Sequence, residues 1–293
     1  MQLDLKRWLG NTPEPLARIC DARIALVARP IEQGNWPVVA LPQNICDIYQ
    51  VPLRERQALL DGCLLFFLAA DVIDDAQDGD LPPDVSWPGA VNAGNALLFA
   101  AIGAFAAAAP GAGVAAEVAR SGGDLTSGQA LDLISSWSTP LSEGDVLASV
   151  RLKSGASARL YTRMAALAAR QPDEIVQLWG TLGELWGTVT QLRSDMLDIR
   201  QGASRDIKNQ KATLPFAYAF ARDRASMQEA TTSGEPSALR AVLRASGALA
   251  FVDLTIDSLV FEIEQTIARL SLSESQQQQL KAMAASGSAG SPL

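Results

Sequence analysis

Apolar residues recur at the spacing of an amphipathic helix along almost the whole chain, and clusters of Gly and Pro interrupt that pattern at intervals. No segment alternates apolar and polar residues as a half-buried strand does. The chain has 293 residues, of which 48% are apolar, so it can bury a large core. We expect one domain over 1–285 and a small polar, disordered tail over 286–293. The sequence therefore predicts an all-α fold, with helices over roughly 14–29, 52–78, 91–108, 112–136, 143–168, 172–201, 211–222, 236–268 and 273–285.

Composition excludes several classes of protein. The chain contains no histidine, which rules out Ser-His, Cys-His and His-metal mechanisms. A net charge of -8 argues against nucleic-acid binding. The chain start lacks the long apolar stretch of a secretory signal, and the run from Ala96 to Pro110 is too short to span a bilayer. We expect a soluble, cytoplasmic protein without a transmembrane segment, and ordinary core cysteines at Cys20, Cys46 and Cys63.

An acidic cluster of Asp74, Asp75 and Asp78 ends an apolar run. On a helix, Asp74 and Asp78 lie one turn apart on one face, with Asp71 a turn earlier. Like charges at this spacing repel by about 0.2–0.5 kcal/mol per pair, so a bound cation is indicated. Mg²⁺ is the natural candidate, because it prefers oxygen ligands and often takes one or two carboxylates together with substrate phosphates.

A second polar face lies further along the chain. Gln191, Asp195 and Asp198 follow the i, i+4, i+7 pattern of one helix face, so two acidic faces on long helices can form one metal pocket. Lys208 and Lys211 follow this cluster, and lysines there can bind a diphosphate that metal already bridges.

Between Leu64 and Ala221 the chain resembles the trans-isoprenyl diphosphate synthases and the class I terpene synthases built on the same helical bundle. Six motifs occur in that family's order: Asp74 to Asp78, Gly94 to Leu98, Gly128-Gln129-Ala130-Leu131-Asp132, Lys153-Ser154-Gly155, Gln191 to Asp198, and Asp206 to Pro215. The resemblance implies an isoprenoid synthase bundle with a central active-site cavity, a prenyl diphosphate substrate and a homodimer.

The resemblance also implies roles for individual residues. Asp74 and Asp78, supported by Asp75, would bind metal, and Asp195 and Asp198 would serve the third of three Mg²⁺ ions. Loss of the diphosphate would leave an allylic carbocation. The remaining assignments are Lys153 and Lys211 on the diphosphate, Gln191 facing the reacting chain, and a pocket of Phe66, Ala69, Ala70, Asn95, Gln129, Trp186 and Phe216.

Two departures concern the second motif. Its usual first aspartate is Ser194, and a hydroxyl is a poorer Mg²⁺ ligand than a carboxylate. The usual Gly-Lys before Asp206 is absent, so Arg200 or Arg205 is a candidate replacement for that lysine on the diphosphate.

The pocket is expected to accept a long chain and to stabilise a cation. Ala69 and Ala70 stand where bulky residues would shorten the pocket in the family, which indicates a chain of twenty carbons or more. Aromatic faces stabilise a desolvated cation by about 0.5–2 kcal/mol each. The candidates are Trp137, Tyr161, Trp179, Trp186, Phe216 and Phe220.

The family's chain-elongating members hold isopentenyl diphosphate through a Gly-Gly-Lys-x-x-Arg element and an Arg-Arg pair. This chain has no Lys or Arg between Pro30 and Leu53, or between Gln57 and Ala119. A desolvated anion without a cation is costly, so a terpene synthase that cyclises or quenches its carbocation is favoured. Three alternatives stay open: a chain-elongating prenyltransferase with cations from Arg23, Arg29, Arg54 or Arg56, prenyl transfer to a peptide or small acceptor, and a silent subunit of a prenyl synthase.

Overall fold

The computed structural model describes residues 5–32, 38–111, 113–201 and 209–286, and every regular element in these ranges is a helix. The all-α prediction is confirmed. A 3₁₀ turn covers Leu5–Trp8, and a π-helical segment covers Arg151–Gly155. The α-helices are α1 (Glu14–Glu32), α2 (Ala40–Ile48), α3 (Leu53–Asp78), α4 (Trp87–Ala108), α5 (Val114–Ile134), α6 (Glu143–Val150), α7 (Ala156–Ala168), α8 (Asp173–Gln201), α9 (Leu214–Arg222), α10 (Arg224–Ser233), α11 (Pro236–Ala245), α12 (Ala248–Arg269) and α13 (Glu274–Ser286).

The observed helices depart from the sequence prediction in several places. The single helix predicted over 236–268 is two helices, because Gly247 adopts φ +77°, a left-handed conformation that separates α11 from α12. The short helix α2 was not predicted. Helix α10 was also missed, although Asp223 caps its first turn and Gly234 ends it at φ +67°. The predicted tail lies outside the described residues from 287 onward, and the single domain stays a prediction.

Helices α3 and α4 pack closely because glycines line their contact. A Cβ on Gly62 would lie 2.6 Å from the Phe105 ring, and one on Gly94 would lie 2.5 Å from Ile73. Helix α4 is long and apolar enough to cross a membrane by length and composition. The length argument from the sequence therefore does not hold, because the helix begins at Trp87 rather than at Ala96. One face of α4 is nevertheless buried in the bundle core through Ala90, Ala93, Gly94, Leu97, Ala101 and Phe105.

The long apolar core is formed mainly by α3, α4, α7 and α8, with contributions from α1, α2, α5 and α12. A second, smaller core lies among α9, α10, α11 and the end of α8, where Trp137 stacks on Phe216 at a ring separation of 5.5 Å. Between α3 on one side and α5, the π segment, α7 and α8 on the other, the bundle leaves a cavity. Charged side chains gather at one end of this cavity.

Candidate active site

The cavity measures about 930 Å³ and has an apolar depth beneath a charged mouth. Along α3 its wall runs from Asp78 to Phe66, which is about 18 Å at 1.5 Å of rise per residue. Apolar residues such as Leu41, Ile73 and Val146 line the deeper part. This shape suits a ligand with a charged head and a long apolar chain.

The aspartate cluster lies in the last turns of α3. Gly79 adopts φ +76°, and the Asp80 amide bonds back to the Asp75 carbonyl at 2.9 Å, which ends the helix directly after Asp78. Carboxylates at a helix C-terminus face the negative end of its dipole, so this placement is electrostatically unfavourable without cations. The sequence of α3 supplies none in that turn.

A second helix, α5, brings another carboxylate to the same place. One carboxylate oxygen each from Asp74, Asp78 and Asp132 lies within 4.8 Å of the others. We call these three residues the carboxylate cluster. Asp132 ends a motif quoted in the sequence, yet it was not assigned as a ligand, because a lone aspartate on α5 has no informative spacing. Three clustered carboxylate oxygens are a donor set that fits Mg²⁺.

Two lysines bridge the carboxylate cluster from other elements. Lys153 Nζ donates to Asp74 at 3.2 Å and to Asp132 at 2.9 Å. Lys211 Nζ donates to Asp78 at 2.5 Å and to Asp132 at 2.9 Å. The sequence-predicted lysines and aspartates therefore meet at one point, with Asp132 between the two ammonium groups.

Burial and these ion pairs compete in setting the protonation of the carboxylate cluster. Burial alone would raise the pKa of Asp132, but Lys153 and Lys211 outweigh it and hold that pKa below its usual range. The pKa of Asp78 is raised, because its burial outweighs the bond from Lys211. Burial works against charge on the two lysines, yet the neighbouring carboxylates raise both lysine pKa values. The lysines are therefore held as cations.

Glycines fix the position of Lys153. A Cβ on Gly128 of α5 would lie 2.8 Å from the backbone nitrogen of Lys153, and a Cβ on Gly187 of α8 would meet the Ser154 carbonyl oxygen. The Ser149 hydroxyl also donates to the Gly128 carbonyl at 2.9 Å. The π segment, a geometry common at functional sites, is thus clamped between two helices.

The second polar face contributes part of its predicted set. Ser154 Oγ donates to the Gln191 side-chain oxygen at 2.9 Å, and Gln191 donates to Asp195 at 2.8 Å. Gln191 and Asp195 line the cavity, whereas Ser194 and Asp198 of the same helix do not. Asp195 is buried, and Ser194 and Asp198 are half-buried.

Arg23 of α1 binds two aspartates of α3 that lie outside the carboxylate cluster. Its guanidinium donates to Asp71 at 2.8 Å and to Asp75 at 2.6 Å, and the residue is buried. Burial, followed by the charge of Asp75, raises the pKa of Asp71 despite this contact. Arg23, which the sequence offered as a cation for a second diphosphate pocket, is therefore bound to Asp75 instead.

Several predicted residues lie away from the cavity, in correction of the sequence-based assignments. Arg200 pairs with Asp253 on the exposed surface, Asn95 is exposed on α4, and Phe216 is fully buried in the second core. Periodicity identified these positions as helical but did not show which face they occupy. Arg205 and Lys208 lie outside the described residues.

The other predicted pocket residues do line the cavity, namely Phe66, Ala69, Ala70, Gln129 and Trp186. Of the six aromatic candidates, Tyr161 and Trp186 reach it, and Tyr161 meets Phe66 edge-to-face at 6.1 Å. Trp137, Trp179 and Phe220 pack within the protein cores instead. Phe67 and Asn209 are further lining residues that the sequence did not single out, and Asp80 also lines the cavity.

Residues 83–245, more than half of the chain, match the family model of polyprenyl synthetase. The chain belongs to the polyprenyl synthetase family. The matched range begins after Asp78, so the first acidic motif is supported by its own spacing and by the geometry of the site. No curated protein matches the sequence significantly. As a family member, the protein is an enzyme of prenyl diphosphate chemistry.

Solved structures share the fold at low sequence identity. A polyprenyl synthetase from Streptomyces coelicolor A3(2) aligns with a TM-score of 0.82 at 16% identity, over 97% of this chain and 95% of that one. A geranylgeranyl pyrophosphate synthetase from Pyrococcus horikoshii Ot3 aligns with a TM-score of 0.79 at 17% identity, over 97% and 93%. A polyprenyl synthase from Caulobacter crescentus CB15, complexed with calcium and isoprenyl diphosphate, gives 0.73 at 18% identity, over 95% and 98%.

Proposed function

We propose that this protein is a class I terpene synthase of the polyprenyl synthetase type, which ionises an allylic prenyl diphosphate and consumes the carbocation without isopentenyl diphosphate. One observation carries the proposal. Among the described residues that line the cavity, the basic side chains are Lys153 and Lys211, and both lie at the carboxylate cluster. The cavity therefore offers cations for one diphosphate and an apolar wall for the rest of the ligand.

The carboxylate cluster fits divalent metal. Asp74, Asp78 and Asp132 would hold Mg²⁺, and Asp195 would serve a further ion, toward the three ions that the resemblance implies. When bound, Mg²⁺ would neutralise charge on the diphosphate oxygens as the leaving group departs.

The lysines would change partners when substrate binds. In the structure they neutralise the carboxylate cluster, and their raised pKa values keep them charged. A diphosphate arriving with metal would draw both ammonium groups onto its oxygens and leave the carboxylates to the cations. Lys153 and Lys211 would then orient the head group so that the allylic chain enters the apolar depth.

The interior below the head group would protect the cation from bulk water. Phe66 and Tyr161 meet edge-to-face in the cavity wall, and Trp186 of α8 lines the same cavity. Aromatic faces stabilise a desolvated cation by about 0.5–2 kcal/mol each. The wall of about 18 Å along α3 gives a long prenyl chain room to extend, and the small residues Ala69 and Ala70 favour a substrate of twenty carbons or more.

The alternative is a chain-elongating prenyl diphosphate synthase, which the likeness to polyprenyl and geranylgeranyl synthases favours. It requires a second diphosphate pocket. Arg23 is committed to Asp71 and Asp75, Arg56 pairs with Asp47 at 2.8 Å, and Arg54 is exposed. None of these three arginines lines the cavity, and the side chain of Arg29 lies outside the described part of the structure.

Product analysis separates the two functions. The pure protein is incubated with Mg²⁺ and prenyl diphosphates of ten to twenty-five carbons, with and without isopentenyl diphosphate. A terpene synthase releases hydrocarbon or alcohol from the allylic substrate alone. Longer diphosphates formed only when isopentenyl diphosphate is present would establish the alternative instead. Asp78→Asn serves as the inactive control.

We also propose that the enzyme acts as a cytoplasmic homodimer. Phe99 on α4 is 70% exposed and Trp87 on the same helix is 58% exposed, and packing of α4 against a second copy of the chain would bury these side chains. Sedimentation velocity on wild type and Phe99→Glu tests this, with a dimer expected for wild type and a shift toward monomer for the variant. A monomeric wild type would contradict it.

A further inference from the structure

Two described cavity residues have buried side-chain polar atoms without a hydrogen-bond partner, namely the Thr213 hydroxyl and both polar atoms of the Gln129 carboxamide. The carboxamide has the greater capacity for hydrogen bonds, because it both donates and accepts. Gln129 lies on α5 with 7% of its surface exposed. Both its side-chain oxygen and its nitrogen are buried, and neither hydrogen-bonds to any residue in the described ranges. Buried amides without partners are rare in native proteins, because the lost hydrogen bonds with water are not repaid. The carboxamide is therefore suited to a polar group that enters the cavity.

The position of Gln129 indicates which group that is. Gln129 and Asp132 are three residues apart and share one face of α5, so the backbone of Gln129 lies about 4.5 Å along the helix axis from that of Asp132, and both residues line the cavity. Relative to Asp132, Gln129 lies toward the deeper, apolar part of the cavity. An allylic diphosphate held at the cluster passes its first carbons at this level, where the positive charge develops after ionisation.

We propose that Gln129 holds the water molecule that captures the carbocation, so that the enzyme releases a prenyl alcohol. This inference rests on the proposed terpene synthase function. A carboxamide both donates to and accepts from water, and a buried water needs about two to four polar partners. The Ser149 hydroxyl lines the same cavity and donates its proton to the Gly128 carbonyl, so its oxygen keeps acceptor capacity for such a water.

The chemistry balances without a further reagent. The bond between the allylic carbon and the diphosphate oxygen breaks, and its electron pair leaves with pyrophosphate. A lone pair of the water oxygen then forms the new carbon–oxygen bond. The protonated alcohol passes one proton to an oxygen of the departing pyrophosphate, so the products are a prenyl alcohol and hydrogen pyrophosphate. Gln129 exchanges no proton and acts as a positioning residue.

Isotope labelling tests the source of the alcohol oxygen. Wild-type enzyme is incubated with Mg²⁺ and a twenty-carbon allylic diphosphate in water enriched in oxygen-18, and released pyrophosphate and organic products are quantified together. The expected product is mainly alcohol with one oxygen-18 atom. Alcohol without the label would show cleavage at phosphorus without a carbocation, and it would refute the proposed function together with this inference. Hydrocarbon alone would show loss of a proton from the carbocation, and it would overturn this inference while the ionisation stands.

Gln129→Leu tests the residue itself. The ratio of alcohol to hydrocarbon, taken per pyrophosphate released in the same reaction, is expected to fall about five- to tenfold, as for one lost hydrogen bond. Thr126→Val is the matched control, because Thr126 lines the same wall and its hydroxyl already bonds to the Gly122 and Gly123 carbonyls. An unchanged ratio in Gln129→Leu would refute the role of Gln129. No pyrophosphate release from wild type would instead refute the proposed function and this inference together.

Discussion

Replacing Asp132 with asparagine tests the member of the carboxylate cluster that sequence reasoning did not assign. The variant keeps the shape of the side chain and removes the negative partner of Lys153 and Lys211, each 2.9 Å away. Hydrogen bonds to charged groups contribute about 1.5–3 kcal/mol each. The Asp132 side chain is 26% exposed, and both lysines keep another carboxylate. The unfolding free energy should therefore fall by only about 1–2 kcal/mol.

The effect on activity should be much larger than the effect on stability. Partners that merely support a metal ligand cost about 10–100-fold when removed, so loss of a direct ligand should lower pyrophosphate release by about 100-fold or more. The Mg²⁺ concentration for half-maximal rate should rise as well. Both quantities follow from a Mg²⁺ titration of pyrophosphate release, with thermal unfolding measured in parallel.

Asp84→Asn is the matched control, because Asp84 makes an exposed pair with Arg18 and does not line the cavity. It should retain the wild-type rate and the wild-type Mg²⁺ dependence. A folded Asp132→Asn protein with an unchanged rate and Mg²⁺ dependence would refute the assignment of Asp132 to the metal site.

Three further predictions concern packing and charge. Phe216→Ala should lower the unfolding free energy by about 3–5 kcal/mol in chemical denaturation without changing the product mixture, whereas a changed mixture would place Phe216 at the substrate. Gly128→Ala should destabilise the fold and slow pyrophosphate release, because its Cβ would lie 2.8 Å from the backbone nitrogen of Lys153. Gly123→Ala, whose Cβ would have nothing within 4 Å, should instead stabilise the fold by about 0.5–1 kcal/mol. Equal effects in the two variants would contradict the role of Gly128 in positioning the π segment. The hydrogen bonds from Arg163 hold the pKa of Glu117 below its usual range, so this pair should stabilise the fold above about pH 4.3 and lose that effect as pH falls through the lowered pKa. Glu117→Gln should lower the unfolding free energy by about 3–5 kcal/mol at pH 7 and weaken its dependence on pH in the acid range. An unchanged dependence of the unfolding free energy on acid pH would exclude this pair as its cause.

Much of the fold follows from helical periodicity, because long buried faces impose it directly. The exceptions are local. Gly247 at φ +77° divides one predicted helix into two, and α10 lacks a strong apolar face, so its caps at Asp223 and Gly234 were the only signals. Such signals depend on one or two residues, whereas periodicity accumulates over many.

The sequence predicted the parts of the site that depend on spacing within one helix and on the order of motifs along the chain. Two residues on one helix, such as Asp74 and Asp78, share a face that the sequence shows. The meeting of Lys153 with Asp132 depends instead on how closely α5 approaches the π segment at Gly128, which only the packing shows. Phe216 is a residue that the sequence wrongly assigned to the cavity. Its helix is apolar as expected, but its side chain packs in the second core.

The central claim is that the carboxylate cluster serves one diphosphate and that ionisation needs no second substrate. Release of pyrophosphate by wild-type enzyme from a twenty-carbon allylic diphosphate, with Mg²⁺ and without isopentenyl diphosphate, tests it most directly. We expect many turnovers under these conditions, and none when Mg²⁺ is chelated. Pyrophosphate release that begins only after isopentenyl diphosphate is added would contradict the claim.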